Sequence, residues 1–285
     1  MRDRTPPDGD RDAPVRYGRR VSVITRNCVR VRGPESARPM VFAHGFGCDQ
    51  TMWRAVAPDF AVDHRVVTFD HVGAGGSDLS AYDPERHGSL RGYADDLVEV
   101  VREMDLTDVV LVGHSVSSMI GVLAVLAAPE RFGALVMVGP SPRYVDDGDY
   151  TGGFSRSDVA ALLDSLDSNP AQWSAALAPL VAGPGNPEVA VELAESFCRT
   201  DPRVARDFAR VTFLSDNRAD LPAVRVPTLV LQCTDDAIAP EPVGRYVHSR
   251  VPGSVFTRLA ATGHCPHLSA PEETAAAIRA FLRDN

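Results

Sequence analysis

One stretch, VVLVGHSVS at positions 109–117, restricts the possible folds of this chain more than any other. Its β-branched, apolar run ends at Gly113, Ser115 follows two residues later, and a helix-like pattern begins directly afterwards. This order predicts a strand, a sharp turn and a helix, with the Ser115 hydroxyl raised on the turn. The pattern approaches the G-x-S-x-G nucleophile elbow, in which a strained turn exposes a reactive serine. Because short motifs recur by chance, an ordinary serine in a strand-to-helix turn is the alternative interpretation.

Strand and helix patterns alternate along most of the chain. Short apolar runs predict strands at 40–43, 66–69, 135–138, 228–232 and 255–259. Apolar residues at helical spacing predict helices at 51–60, 90–104, 116–128, 242–250 and 271–282. Continuous apolar strands that alternate with helices indicate an α/β protein with a mostly parallel, doubly wound sheet. Two short alternating segments, 21–24 and 29–31, predict an antiparallel hairpin at an edge of that sheet.

The alternation is interrupted once, by four helical patterns with no strand between them. They cover 157–167, 171–181, 188–197 and 203–215, and prolines mark their boundaries. Because strands resume directly afterwards, we interpret the segment as a lid inserted into the sheet domain; a separate helical domain is the alternative. The expected organisation is a disordered, Asp-, Arg- and Pro-rich tail at 1–17, a first core part at 18–140, the lid at 141–216 and a second core part at 217–285.

Composition excludes several classes of protein. The 285 residues carry 29 Lys and Arg against 38 Asp and Glu, a net charge of −9, and show none of the basic stripes of a nucleic-acid-binding protein. No apolar run reaches the roughly 18 residues of a membrane span, and none follows Arg19-Arg20 as a secretory signal would require. The five cysteines are widely spaced and contain no C-x-x-C pair. We therefore expect a cytoplasmic protein with reduced thiols and no metal site.

A reactive serine needs a base, and the base needs an orienting carboxylate. The predicted strand at 228–232 is followed by Asp235 and Asp236, and the strand at 255–259 by His264. Ser, Asp and His in this chain order, each just past a strand, form a catalytic triad in one large class of hydrolases. We prefer Asp236 because it stands four residues before Pro240, a common spacing in that class, whereas Asp235 is interpreted as a solvated loop carboxylate.

His264 is preferred as the base over the other nearby histidines. It directly follows Gly263 at the end of a strand, whereas His267 comes after a proline and is expected to pack near the next helix. A lone histidine is usually structural, and that interpretation also suits His44 and His114. The predicted triad is therefore Ser115, Asp236 and His264.

An oxyanion hole needs two backbone N–H groups directed at one point. We expect one from Val116, directly after the serine, and one from Phe46 in the loop HGFG at 44–47, whose side chain would also wall the pocket. The glycine-rich stretch 70–78 lacks the third glycine and the acidic residue of a dinucleotide-binding fingerprint, so it is interpreted as a tight turn. No organic cofactor is expected.

Several of these motifs together resemble one known family. The stretches 44–50, 69–73, 113–116, 138–142 and 263–267 are similar to those of the RsbQ-like α/β-hydrolases, bacterial proteins of energy-stress signalling whose plant relatives are the karrikin and strigolactone receptors. The likeness runs from about residue 21 to 282. It implies an α/β-hydrolase fold with a four-helix, V-shaped lid over a small hydrophobic pocket. It supports the triad and the two oxyanion donors. One departure is Ser117, which stands where the last glycine of the elbow normally lies.

Two functions follow as expectations. The first is a serine hydrolase that cleaves a small hydrophobic ester or lactone through an acyl-enzyme. The second, implied by the resemblance, is a ligand-sensing module whose partner is a sensor-domain phosphatase. In both cases the pocket would be lined by aromatic and apolar side chains, for which the candidates are Phe46, Phe154, Trp173, Leu177 and Phe213.

Overall fold

In the computed structural model, which describes residues 22–285, seven strands form one sheet. The strands are β1 Arg30–Arg32, β2 Pro39–Ala43, β3 Arg65–Thr68, β4 Val109–His114, β5 Phe132–Val138, β6 Thr228–Asp235 and β7 Val255–Thr262. They lie in the order β1-β3-β2-β4-β5-β6-β7, and all neighbouring pairs are parallel except β1 with β3. The elbow strand β4 is therefore the central strand of the sheet.

Eleven α-helical segments connect or flank these strands in the described part of the chain. They are α1 Val23–Arg26, α2 Ala57–Phe60, α3 Leu90–Glu103, α4 Val116–Ala127, α5 Arg156–Ser168, α6 Pro170–Ala182, α7 Pro187–Arg199, α8 Pro202–Phe213, α9 Glu241–Arg250, α10 Pro266–Ser269 and α11 Pro271–Leu282. Most predicted helices are present with small shifts at their ends. The predicted helix at 51–60 is instead a 3-10 turn, Gln50–Trp53, followed by the single turn α2.

Both faces of the sheet are buried. Along β2, Met40 and Phe42 belong to one apolar core, whereas Val41 and Ala43 belong to the other. Successive side chains of a strand point to opposite faces, so helices must cover the sheet on both sides. The expected doubly wound, mostly parallel α/β architecture is confirmed.

The predicted hairpin at 21–24 and 29–31 is wrong. Residues 23–26 form the helical turn α1, and β1 pairs antiparallel with β3. The physical reason lies in Asn27, which is fully buried. Its side-chain amide donates to the Asp70 carbonyl (2.9 Å), and the Asp70 N–H donates back to the Asn27 carbonyl (2.8 Å). These bonds hold the segment against the chain that leaves β3. Val21 and the expected tail at 1–17 lie outside the described residues.

Helices α5 to α8 follow one another between β5 and β6. Ser155 begins α5 with a capping box that includes Asp158, and the Asp201 carboxylate caps α8. This four-helix segment lies against the loop after β2, where the Ser196 hydroxyl of α7 donates to the Gly47 carbonyl at 2.8 Å. It thereby covers the end of the sheet at which β2 and β4 finish. Within residues 22–285, no helix is long and apolar enough to cross a bilayer.

Candidate active site

The turn after β4 presents Ser115 in the geometry that the motif predicts. Its φ and ψ are 56° and −123°, a conformation that costs a non-glycine residue about 1–3 kcal/mol. The Ser115 N–H donates to the Val138 carbonyl of β5 (2.8 Å), which holds the turn in place. A Cβ atom on Gly113 would overlap the Ser117 carbonyl oxygen, so the close return of the chain requires glycine there.

The three predicted triad residues meet in one buried hydrogen-bonded line. Ser115 Oγ lies 2.7 Å from His264 Nε2, and His264 Nδ1 lies 2.8 Å from Asp236 Oδ2. The other carboxylate oxygen, Asp236 Oδ1, accepts the N–H groups of Ile238 (2.8 Å) and Ala239 (2.9 Å). Since the carboxylate accepts from Nδ1–H, the lone pair of Nε2 faces the serine hydroxyl. This arrangement can remove a proton from Ser115 Oγ.

The alternative acid, Asp235, and the alternative base, His267, do not take part in these hydrogen bonds. Asp235 is exposed at the end of β6, and its backbone carbonyl accepts the Gly263 N–H (2.6 Å). His267 is fully buried with its ring packed on Trp53 and His114, at centroid distances of 4.6 and 4.4 Å. Neither of its ring nitrogens has a hydrogen-bond partner within residues 22–285. Burial lowers the pKa of His267 to about 3, which keeps the ring neutral.

The backbone N–H groups of Phe46 and Val116, the two predicted oxyanion donors, have no hydrogen-bond acceptor within residues 22–285. Their segments are in close contact: a Cβ atom on Gly45 would lie 3.4 Å from Ser115 Cβ and 2.5 Å from His114 Nδ1. Glycine at position 45 thus permits the loop to approach the serine. The two free donors are of the kind that an oxyanion hole requires.

A small apolar cavity adjoins the triad. It has a volume of about 30 Å³, and three of the candidate wall residues, Phe46, Leu177 and Phe213, line it. Trp173 and Phe154 do not line it, which corrects the predicted pocket. Trp173 packs behind Phe46 (ring centroids 5.9 Å apart), and Phe154 packs behind Phe213 (6.3 Å). Lining residues that the sequence analysis missed include Val181, Leu193, Phe197, Thr212 and Ile238.

Tyr144 is a further residue that sequence reasoning missed. Its hydroxyl lies 3.3 Å from Ser115 Oγ, and its ring packs against Phe213 with centroids 5.1 Å apart. Burial raises the pKa of Tyr144 to about 12, so the hydroxyl remains protonated at neutral pH. Since the serine proton faces His264, Tyr144 donates to Ser115 Oγ. Its position just past β5, at the same sheet end as the triad, was the available signal in the sequence.

One cluster of side chains has the composition of a metal site. Donor atoms of His114, Cys265 and His267 lie within 4.8 Å of one another. The His114 Nε2–H donates to the His264 carbonyl (2.9 Å), and His114 Nδ1 faces Gly45. Burial raises the pKa of Cys265 well above its ordinary value. The ligands that remain available are His267 and Cys265, and the Cys265 thiol is protonated. Two such ligands do not match the four that Zn²⁺ takes in structural sites.

The glycine-rich stretch 70–78 is a turn that is held by hydrogen bonds to its first residue, Asp70. The Asp70 carboxylate accepts the N–H groups of Gln50 and Gly76, both at 2.8 Å. The next α-helix begins only at Leu90. A dinucleotide site needs a helix N-terminus directly after the glycines, so these residues do not fit such a cofactor.

Comparison with known proteins gives a consistent result. The sequence model described as "Alpha/beta hydrolase family" matches residues 40–277. A probable esterase of Oryza sativa subsp. japonica is 38% identical over 246 residues, 86% of this chain and 91% of the rice protein. "Karrikin insensitive 2 receptor CA" of Petunia hybrida is 39% identical over 235 residues, covering 82% of this chain and 87% of the relative. A strigolactone esterase of Arabidopsis thaliana is 36% identical over 255 residues, 89% and 95% of the two chains.

Solved structures show the same similarity in three dimensions. A hydrolase from Oleispira antarctica superposes with a TM-score of 0.90 at 38% sequence identity, covering 92% of this chain and 97% of that one. A bromoperoxidase from Bacillus anthracis, 19% identical with a TM-score of 0.83 and covering 90% of this chain and 95% of that one, shares the fold.

Proposed function

Because the chain belongs to the alpha/beta hydrolase family, we propose that it is a serine hydrolase of small hydrophobic esters or lactones. One observation carries this proposal: the buried Ser115–His264–Asp236 line, with distances of 2.7 and 2.8 Å, beside an apolar cavity. The rice and Arabidopsis relatives are named esterases, which supports hydrolysis of an ester bond.

In the proposed mechanism, Ser115 Oγ attacks the ester carbonyl carbon while His264 Nε2 takes the serine proton. Asp236 holds the imidazole ring and stabilises its positive charge. The Phe46 and Val116 N–H groups stabilise the oxyanion of the tetrahedral intermediate. His264 then returns the proton to the leaving alkoxide, which leaves as the alcohol, or remains attached as a hydroxyl when the substrate is a lactone. A water molecule, deprotonated by His264, cleaves the acyl-enzyme to the acid and restores Ser115.

The size of the cavity constrains how a substrate binds. About 30 Å³ holds one or two water molecules, whereas ligand pockets commonly measure about 300–1,000 Å³. We propose that the four-helix segment α5–α8 acts as a lid and that lining side chains such as Phe213 move outwards when substrate binds. The apolar lining selects a small hydrophobic acyl or lactone group.

A second candidate function is ligand sensing. A Petunia relative is named a receptor, and the lid here is joined directly to the triad: the His264 N–H donates to the Val181 carbonyl at the end of α6 (2.7 Å). Covalent or non-covalent occupation of the site would therefore displace lid and catalytic loop together. A ligand that binds one lid position more tightly shifts the population towards it. In this proposal the output is contact with a protein partner, for which an RsbQ-like role implies a sensor-domain phosphatase.

Time-resolved turnover distinguishes the two candidates. The purified protein is mixed with 4-nitrophenyl acetate, 4-nitrophenyl butyrate and simple aromatic lactones, with Ser115→Ala as the control. Sustained turnover of about 1 per second or faster supports the first candidate, the serine hydrolase. One equivalent of product followed by near silence supports the sensor. Equal rates for wild type and Ser115→Ala would refute Ser115 as the nucleophile.

A further inference from the structure

The two proposed oxyanion donors belong to separate segments, so their separation must be maintained by contacts between those segments. Phe46 lies in the loop after β2, and Val116 begins α4. His44 lies two residues before Phe46, and Ser117 directly follows Val116. Both side chains contact His71 from the loop after β3, and all three side chains are fully buried. We infer that these three residues form a closed hydrogen-bond ring that positions the oxyanion hole. The inference rests on the proposed hydrolase function.

The proton positions in this His44–His71–Ser117 ring follow from its carbonyl and amide members. Ser117 Oγ donates its one proton to the His44 carbonyl, which can only accept. The 2.8 Å contact between His71 Nε2 and Ser117 Oγ must then be a donation from Nε2–H. The other ring nitrogen of His71 carries the lone pair, in agreement with its lack of a partner within residues 22–285.

The same reasoning assigns His44. The backbone N–H of His71 donates to His44 Nε2 (3.0 Å), so the ring proton is on Nδ1. His44 Nδ1–H donates to the Gly45 carbonyl at 2.9 Å. Both rings are therefore neutral, each in one tautomer. Burial lowers the pKa of both histidines, which is consistent with these neutral forms.

The bond to the Gly45 carbonyl has a direct consequence for the oxyanion hole. Gly45 C=O and Phe46 N–H belong to one planar, trans peptide unit, in which the two groups point in opposite directions. Whatever holds the carbonyl of this unit also sets the direction of its N–H. His44 Nδ1–H (2.9 Å) and, at a longer distance, the Cys48 N–H (3.3 Å) donate to this carbonyl, and the Phe46 N–H is left unused.

Ser117 joins this loop to the elbow. It lies one residue after Val116, in the first turn of α4, and its hydroxyl bridges the His44 carbonyl and the His71 ring. A glycine at position 117, the usual residue at this point of the elbow, would lack the hydroxyl. His71 Nε2–H and the His44 carbonyl would then lose their shared partner. The departure from the elbow motif is therefore the residue that connects the two donor segments.

Ser117→Ala tests the ring, and Ser118→Ala is its matched control. Both serines are fully buried in the first turn of α4, and both donate to a backbone carbonyl: Ser118 Oγ donates to Gly113 (2.9 Å), outside the ring. We expect Ser117→Ala to lower kcat on 4-nitrophenyl acetate about 10- to 100-fold with KM changed less than about threefold. Ser118→Ala should retain kcat within about threefold.

A transition-state analogue separates positioning from a general structural role. A small trifluoromethyl ketone adds to Ser115 Oγ and places an oxyanion where the two N–H groups converge. Its affinity for Ser117→Ala should fall by the same factor as kcat/KM, whereas Ser118→Ala should bind it normally. His71→Gln keeps a neutral N–H near the position of Nε2 and should preserve both quantities, and His71→Asn, which is too short, should not. This pair carries the test should Ser117→Ala not fold.

The outcomes are distinct. An active wild type with unchanged kcat and ketone affinity in Ser117→Ala would overturn the positioning role alone. A fall in kcat without a parallel fall in ketone affinity would also overturn it. A wild type that neither turns over the ester nor forms the ketone adduct would overturn the proposed hydrolase function, and the role of the ring with it.

Discussion

The Tyr144 hydroxyl lies 3.3 Å from Ser115 Oγ, on a loop that follows β5, and donates to the proposed nucleophile from inside the cavity. This contact holds the serine side chain in the rotamer that faces His264.

Removing this hydroxyl should weaken catalysis moderately. We predict that Tyr144→Phe lowers kcat on short 4-nitrophenyl esters about 3- to 10-fold, because Ser115 loses a positioning hydrogen bond worth about 0.5–1.5 kcal/mol. Tyr150→Phe is the matched control, since its hydroxyl donates to the Arg143 carbonyl (2.7 Å) away from the triad. Steady-state kinetics of both variants measures the difference. An equal loss in both would show that Tyr144 acts only through the fold.

The two neighbouring aspartates should differ sharply in their contribution. Asp236→Asn replaces the buried acceptor of His264 Nδ1–H and is expected to lower kcat about 10³- to 10⁴-fold through the wrong tautomer. Asp235→Asn alters an exposed side chain and should leave kcat within about twofold. The measurement is ester turnover at neutral pH with active-site titration. The reverse ranking would identify Asp235 as the acid.

The contact between the four-helix segment α5–α8, the proposed lid, and the loop after β2 should control substrate access. The Ser196 hydroxyl joins α7 to the Gly47 carbonyl (2.8 Å), whereas the Ser174 hydroxyl donates to the Ala194 carbonyl (2.9 Å) within the four-helix segment. We predict that Ser196→Ala raises kcat/KM severalfold for butyrate relative to acetate esters, because the lid opens more easily. Ser174→Ala should not change this ratio. If the ratio is the same in all three proteins, this bond does not restrict access.

Burial of the neutral His267 ring should make the free energy of unfolding depend on pH. The pKa of His267 is about 3 in the folded state, below the usual 6.5, so the unfolded chain binds the extra proton between these values. The free energy of unfolding should therefore fall as pH decreases from about 6.5, by up to about 1.4 kcal/mol per unit for this one group.

Urea unfolding of wild type and His267→Leu at pH 7, 6, 5 and 4.5 measures this contribution. The variant removes the titrating ring and should show a shallower loss of stability at low pH, even if its stability at pH 7 is lower. Parallel curves for the two proteins would show that His267 does not contribute to the acid sensitivity.

Local pattern and chain order were sufficient for much of this molecule. Gly113 and Ser115 at the end of an apolar strand predict the elbow because a strand, a turn and a helix are set by neighbouring residues. Asp236 and His264 follow two further strands, and the carboxyl ends of parallel strands meet at one edge of a sheet. The sequence therefore placed the three side chains at a common edge before any distance was known, and the structure brings them to within 2.8 Å of their partners.

Other features depended on contacts between residues far apart in the chain. Asn27 bonds to Asp70, and for that reason the predicted hairpin is a helical turn and β1 pairs with β3. Trp173 and Phe154 have the right size for a pocket wall, yet they lie behind Phe46 and Phe213. Helical periodicity identifies the buried side of a helix but not which buried residue reaches the cavity, because that depends on how the helices pack.

The α/β class, the elbow and the chain order of the triad can be read from the amino-acid sequence, since each is encoded in local periodicity or in the order of strands. The folded structure was needed to show which side chains line the cavity, that Tyr144 contacts Ser115, and that Ser117 bonds to a carbonyl 73 residues away. These contacts join segments from different strands and helices. Their distances depend on the packing of the whole domain, which no single stretch of sequence encodes.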